Sequence, residues 1–275
     1  MKMSRYTFLL VVASLSIISC TQHPETDPHV GFYSPESPYF VLTSDCFSGP
    51  RQDSSSISIV EGQMDADTVL LVLQGGPSVE IDPDEFNFYE QFMLVAYLQQ
   101  PQTLQGFSEQ DGNVPDAWVG ANVDISEAAS ILNESILKYR QQGKKVMVMG
   151  VSWGAFIVQQ WLSEYENTAD KVFILVGRLY AKNLVKSFYP AYPDETVVYL
   201  NVQTNKDYRP LLGGRDLTNV YYVTALYDEA VSKLTKDEID WLDEHGVAHY
   251  ELVGGHSVIE ERKGTLLLID LMFRH

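Results

Sequence analysis

Val146-Met147-Val148-Met149-Gly150-Val151-Ser152-Trp153-Gly154-Ala155-Phe156 decides the fold. Its apolar opening reads as a strand buried on both faces. Gly150, Ser152 and Gly154 then form a Gly-x-Ser-x-Gly pattern. Directly behind it, Ile157, Val158, Trp161, Leu162 and Tyr165 mark one face of a helix. A strand that turns sharply into a helix at a serine lifts the hydroxyl above the sheet edge. The two glycines leave room for strand and helix to approach closely around a strained serine. If this turn carries chemistry, the rest of the chain must supply a base, an acid and oxyanion donors.

Working outward, Thr68–Leu73 is a second continuous apolar run, followed at once by Gln74-Gly75-Gly76-Pro77-Ser78. Residues 92–97, 172–176, 220–224 and 248–253 are further strand-like runs. Between them the period changes to helical. Asp124 and Glu127 form a capping-box pair, and Ile125, Ala128, Ala129, Leu132, Ile136 and Tyr139 recur at helical spacing until Gly143. Thr235 and Glu238 form another such pair ahead of Ile239 and Leu242, with Gly246 as the stop. The last strand leads into Gly254-Gly255-His256-Ser257 and an apolar helix ending near Phe273. Residues 40–42 and 57–60 read as early strands, antiparallel and near the sheet edge. Apolar strands alternating with helices predict an α/β class, with a mostly parallel sheet covered on both faces. Residues 178–217 break the rhythm with Tyr-Pro-Ala-Tyr-Pro at 189–193, an isolated strand-like run at 197–202 and Gly213-Gly214.

The chain of 275 residues suits one large core. Its formal net charge is −18, a surface that repels phosphate backbones and excludes nucleic acid as a natural partner. Lys2 and Arg5 precede an apolar run from Tyr6 to Ile18, a signal-peptide pattern too short to span a bilayer comfortably. The ending Ile17-Ile18-Ser19-Cys20 resembles a bacterial lipobox, with residues 1–19 removed and Cys20 lipidated; the alternative is a plain secretory signal with an incidental cysteine. Removing those nineteen residues leaves 17 basic against 37 acidic residues, a net −20. Residues 20–38, with Pro24, Pro28, Pro35 and Pro38, read as a tether or a Pro-rich binding segment, and residues 39–275 as the folded domain. Thr21 after the cysteine implies the outer membrane, by resemblance to sorting in two-membraned bacteria. Cys46 is then the one cysteine of the mature chain besides the lipidated residue, so no intramolecular disulfide, zinc cluster or CxxC centre is expected.

Three residues lie just beyond the C-terminal ends of predicted strands, the edge at which parallel sheets build sites: Ser152, Asp228 and His256. A serine hydroxyl is a poor nucleophile until a positioned histidine takes its proton, and the histidine needs an acid to hold its tautomer. From about Thr68 to Arg274 the chain resembles an α/β-hydrolase, closest in local wording to the proline iminopeptidase branch. Gln74-Gly75-Gly76-Pro77 resembles that branch's His-Gly-Gly-Pro oxyanion loop. Gly150-Val151-Ser152-Trp153-Gly154 matches its Gly-x-Ser-Trp-Gly elbow, and Gly255-His256-Ser257 its Gly-His-Ser. The resemblance implies the order nucleophile, acid, histidine, which Ser152, Asp228 and His256 follow. It implies that residues 178–217 are a short cap over the substrate; a surface excursion is the alternative. Two places differ. Gln74 stands for the branch's histidine, and its Asp-Gln-Arg-Gly-x-Gly-x-Ser loop becomes Leu98 to Ser108, without the charged residues.

Among the acids, Asp207 competes with Asp228, and it would serve if residues 197–202 entered the sheet. His245, at a helix end, and His249, inside a strand, compete with His256. The oxyanion hole implied by the family uses the backbone N–H of Trp153 and one from the next glycine-rich loop. Pro77 has no N–H, so Gly76 is preferred, with Gly75 and Ser78 as alternatives. The expectation is a cofactor-free serine hydrolase that cleaves a small ester or an amide or peptide through an acyl-enzyme. It would be bound to the membrane by its N-terminal lipid alone. The competing expectation is a hydrolase-shaped surface lipoprotein that has lost catalysis and binds a ligand or partner, motivated by the altered loop after Leu98.

Overall fold

The computed structural model describes residues 58–75, 83, 86–98, 114–180 and 206–274, with side chains from residue 125 onward in the first long helix. Cys20, Cys46, Gly76, Pro77 and Ser78, the loop at 99–108, the insertion at 181–205 and the expected tether lie outside the described residues. Among the described residues seven strands form one sheet: β1 (Ser58–Gly62), β2 (Thr68–Leu73), β3 (Leu94–Leu98), β4 (Lys145–Val151), β5 (Lys171–Leu175), β6 (Val220–Ala225) and β7 (Ala248–Leu252). Their order is β1-β3-β2-β4-β5-β6-β7. Of these seven, β1 alone runs antiparallel, at the edge against β3, as expected for the run at 57–60.

The apolar runs explain the sheet. Along β2 every residue from Val69 to Leu73 is buried, and side chains alternate between faces with the strand period of two. Leu70 and Val72 join a core with Met147, Met149, Phe173 and Val223, closed by Leu268, Leu271 and Met272 of the terminal helix α5 (Arg262–Phe273). The opposite face meets helix α2 (Trp153–Glu164), whose Gln159 accepts the hydroxyl of Tyr222 on β6 at 3.1 Å. Lys171 at the start of β5 fastens α5 by donating to the carbonyls of Leu271, Met272 and Arg274 at 2.6, 3.1 and 2.7 Å. These are carbonyls of its last turn, which lack partners within the helix.

Helix α1 (Val114–Gln141) corrects one expectation. Asp124 lies inside it, not at its start. The spacing Asp124-x-x-Glu127 permits a helix start without requiring one, and the backbone is already helical ten residues earlier. In contrast, Thr235 does cap α4 (Lys236–Glu244): its side chain accepts from Glu238 N–H while Glu238 reaches back. A single helical turn, α3 (Arg209–Leu212), follows the insertion. Among the described residues no helix is long and apolar enough to cross a membrane.

The sheet order locates a crevice. From β2 the chain goes to β3 on one side, then crosses through α1 to β4 on the other. Beyond the carboxyl ends of β2 and β4 the direction of winding reverses, and open α/β sheets bind ligands at such a point. Gln74-Gly75 leaves β2 there, and Ser152 leaves β4.

Candidate active site

Ser152 is held at φ 51° and ψ −108°, a conformation L-residues rarely adopt, between the end of β4 and the first residue of α2. Its N–H donates to Leu175 O on β5 at 2.8 Å, which pins the turn to the neighbouring strand. The glycines of the motif are required by contact. A Cβ added to Gly154 would lie 2.0 Å from Leu73 O, and one added to Gly150 would lie 2.5 Å from Gly154 O. So the helix start rests directly on the end of β2, and no side chain fits between them. Gly75 presses on the serine from the β2 side: a Cβ there would be 3.1 Å from Ser152 Cβ and 3.8 Å from its Oγ.

The acid and the histidine come from the loops after β6 and β7. His256 Nδ1 lies 2.8 Å from Asp228 Oδ2. The side chain of Asp228 is 1% exposed and that of His256 22%. The other carboxylate oxygen, Oδ1, accepts the backbone N–H groups of Ala230 and Val231, each at 2.8 Å. An ionised carboxylate can only accept, so Nδ1 donates to Asp228, and in the neutral imidazole this leaves the lone pair on Nε2. The two loops run together, with Leu226 N–H donating to Leu252 O at 2.8 Å and Tyr227 N–H to Gly254 O at 3.0 Å. Among the described residues no hydrogen bond joins Ser152 Oγ to the His256 ring. Trp153 is buried at 4% exposure, so its ring belongs to the core, while its peptide N–H begins α2.

The competing residues are engaged elsewhere. Asp207 receives Arg209 N–H at 3.1 Å and its guanidinium at 2.9 and 2.7 Å, and the Arg209 side chain holds the Asp207 carboxyl below its ordinary value. His245 caps the end of α4, stacked on Trp241 with ring centroids 4.0 Å apart. His249 Nε2 meets Asp243 Oδ1 at 3.0 Å on the surface. None of these three is bonded to Ser152, Asp228 or His256.

Sequence reasoning missed an ion pair behind the acid loop. Arg178 is joined to Glu238 through Nε at 3.2 and 3.0 Å and through a terminal nitrogen at 2.6 Å, with side chains 7% and 1% exposed. Arg178 also donates to Val231 O at 3.4 Å, and Glu238 accepts Tyr180 N–H at 2.9 Å. The pair therefore ties the strand-β5 exit, the first turn of α4 and the loop that cradles Asp228. Glu238 was legible only as a capping residue. Its burial has no local signal, since Lys236, Asp237 and Asp240 flank it, and its pairing with Arg178 spans 60 positions.

Val176, directly after β5, has φ 43°, a second strained position on this edge, and one that is costly for a β-branched residue. Among the described residues no group of three or more His, Cys, Asp or Glu is placed to hold a metal ion.

Solved structures share this architecture at low identity. The chain superposes on TT1662 from Thermus thermophilus with a TM-score of 0.54 and 18% identity, over 79% of this chain and 94% of that one. A lipase-esterase related protein from Clostridium acetobutylicum gives a TM-score of 0.54 and 16% identity, over 78% of this chain and 98% of that one. No protein-family model matches the chain, nor does any curated protein. The likeness concerns the path of the backbone. With its parallel sheet, antiparallel edge strand and strained strand-to-helix turn, the chain has the α/β-hydrolase fold.

Proposed function

We propose that this chain is a serine hydrolase acting on a carboxylic ester or amide. The observation that carries the reading is the 2.8 Å bond between a buried Asp228 carboxylate and His256 Nδ1, on the sheet edge that also bears the strained Ser152. In this reading Ser152 Oγ attacks the substrate carbonyl as its proton passes to His256 Nε2. Asp228 fixes the tautomer and stabilises the imidazolium. The proton then goes to the leaving alcohol or amine as the carbon–heteroatom bond breaks. Water, deprotonated by the same histidine, releases the acid and restores Ser152. The developing oxyanion would be met by the N–H of Trp153 and that of Gly76.

Hydrolysis of short aryl esters with a burst of the first product, abolished in Ser152→Ala, tests the reading. A folded chain without esterase or amidase turnover contradicts it. The wording of the elbow and of Gly255-His256-Ser257 favours the proline iminopeptidase branch. Comparing aminoacyl amides with simple acyl esters separates the two, because an aminopeptidase requires the free amine.

One observation favours the binding-protein alternative: the absence of a Ser152–His256 hydrogen bond among the described residues. Such bonds are often open in unliganded enzymes and close with substrate, so catalysis is the stronger reading. For location, the lipobox-like ending at Cys20 supports attachment by an N-terminal lipid, and Thr21 after it favours the outer membrane. Cys20→Ser should then release the protein from membrane fractions, and retention in the membrane would refute the anchor.

A further inference from the structure

Two carboxylates adjacent in sequence hold the same histidine at different atoms. Asp228 Oδ2 meets the ring, whereas Glu229 Oε2 accepts the backbone N–H of His256 at 3.0 Å. Beside that second bond lies Gly255. A Cβ added there would sit 2.7 Å from Glu229 Oε2 and 3.4 Å from its Cδ. The backbone at Gly255 is extended, with φ −82° and ψ −168°, a conformation open to any residue. The three nearest atoms to the missing Cβ all belong to the Glu229 side chain, so a side chain at 255 would be accommodated by displacing that carboxylate from its bond.

We propose that Glu229 is a positioning residue for His256. It rests on the serine-hydrolase reading and deepens it. Tyr227 N–H ties the loop at Gly254, two residues before the histidine, and Asp228 holds the ring at Nδ1. The Glu229 bond anchors the main chain from which the ring projects, so two points fix the direction of Nε2. The same loop after β6 carries both acceptors, so the histidine is referred to one segment. Because Glu229 is exposed, water replaces its bond readily and the fold gains little from it. Its effect falls on geometry, where small displacements change rates steeply.

The test uses the full chain with Glu229→Ala, Glu229→Gln, Gly255→Ala and the Glu229→Ala/Gly255→Ala double variant. Phosphonylation by a fluorophosphonate, in which an Oγ–P bond forms and fluoride leaves, is followed across pH, with thermal midpoints and hydrogen exchange at the His256 amide. Glu229→Ala and Gly255→Ala should each slow phosphonylation about tenfold at unchanged thermal midpoint, with faster His256 exchange. Glu229→Gln keeps an acceptor oxygen and should stay within about twofold of the parent. The double variant should be no slower than Glu229→Ala, since the added methyl group then has nothing to displace.

Losses that multiply in the double variant overturn the proposal, as does an unchanged Glu229→Ala. It also fails if Glu229→Gln falls as far as Glu229→Ala with a shifted pH midpoint, because the charge rather than the bond would then be acting. A parent chain that takes no label at all refutes the hydrolase reading itself. A parent that labels while Glu229→Ala matches it refutes only this inference.

Discussion

Gly154→Ala puts the geometry of the elbow to a quantitative test. The added Cβ would lie 2.0 Å from Leu73 O, 2.6 Å from Leu73 C and 2.9 Å from Leu73 Cβ. Cβ atoms essentially never approach another heavy atom within 3.0 Å, so the start of α2 and the end of β2 must separate by at least ~1 Å. The first two obstructing atoms are main chain of a central strand, which cannot swing aside. Helix propensity works in the opposite direction, since alanine is preferred over glycine by about 1 kcal/mol inside a helix. Overpacking a tight core costs about 1–3 kcal/mol, occasionally more. With backbone as the obstacle the upper part of that range applies, so the clash wins and a net loss of about 2 kcal/mol is expected. Ser152, two residues earlier, would shift with the helix, and a displacement near 1 Å can lower its rate of reaction with an electrophile by about 100-fold. Urea unfolding and fluorophosphonate labelling measure the two effects. Gly214→Ala is the control: nothing lies within 4 Å of its Cβ, and stability should change by less than about 0.5 kcal/mol. If Gly154→Ala matched the parent in both assays, the close approach of α2 to β2 would be wrong.

Further expectations concern the acid, the ion pair and the rejected carboxylate. Asp228→Asn should lower kcat by about 10⁴-fold with the fold intact, because the amide would favour the wrong His256 tautomer; a loss under tenfold would contradict the assigned acid. Arg178→Met strands the buried Glu238 carboxylate and should destabilise the chain by about 3–5 kcal/mol in urea unfolding. A change below about 1 kcal/mol would show that the pair is not buried. Bonding to Arg209 lowers the Asp207 carboxyl in the fold. Its contribution to stability is thus present above the unfolded value of 3.8 and lost as pH falls through the lower folded one. Asp207→Asn should flatten the acid limb of stability below that pH without affecting turnover at neutral pH, and an unaltered limb would refute the assignment.

What the sequence made legible was local. The elbow is a steric code, since two glycines two residues either side of the serine can be read as a demand for close approach. The structure answers that demand with Leu73 O at Gly154 and Gly154 O at Gly150. The apolar runs of β2, β4 and β5 were readable because both sheet faces are covered, which removes the alternation that a half-exposed strand shows. Long-range partners were not readable. The choice between Asp207 and Asp228 turns on which carboxylate reaches His256, and Asp207 is taken by an arginine two positions away. Likewise the Arg178–Glu238 pair and the Glu229–His256 bond join residues 60 and 27 positions apart, for which no spacing rule exists. The start of α1 was misplaced for a related reason: a capping-box pattern signals a possible helix start, and whether the chain stops there depends on what precedes it.

The central claim is that Ser152 is a nucleophile served by His256 and Asp228. Its most direct test is the intact mass of the full chain after exposure to a fluorophosphonate, followed by peptide mapping. The account predicts a single stoichiometric adduct on the peptide that carries Ser152, absent in Ser152→Ala and strongly slowed in Asp228→Asn. A folded chain that stays unmodified, or an adduct on another residue that persists in Ser152→Ala, would contradict it.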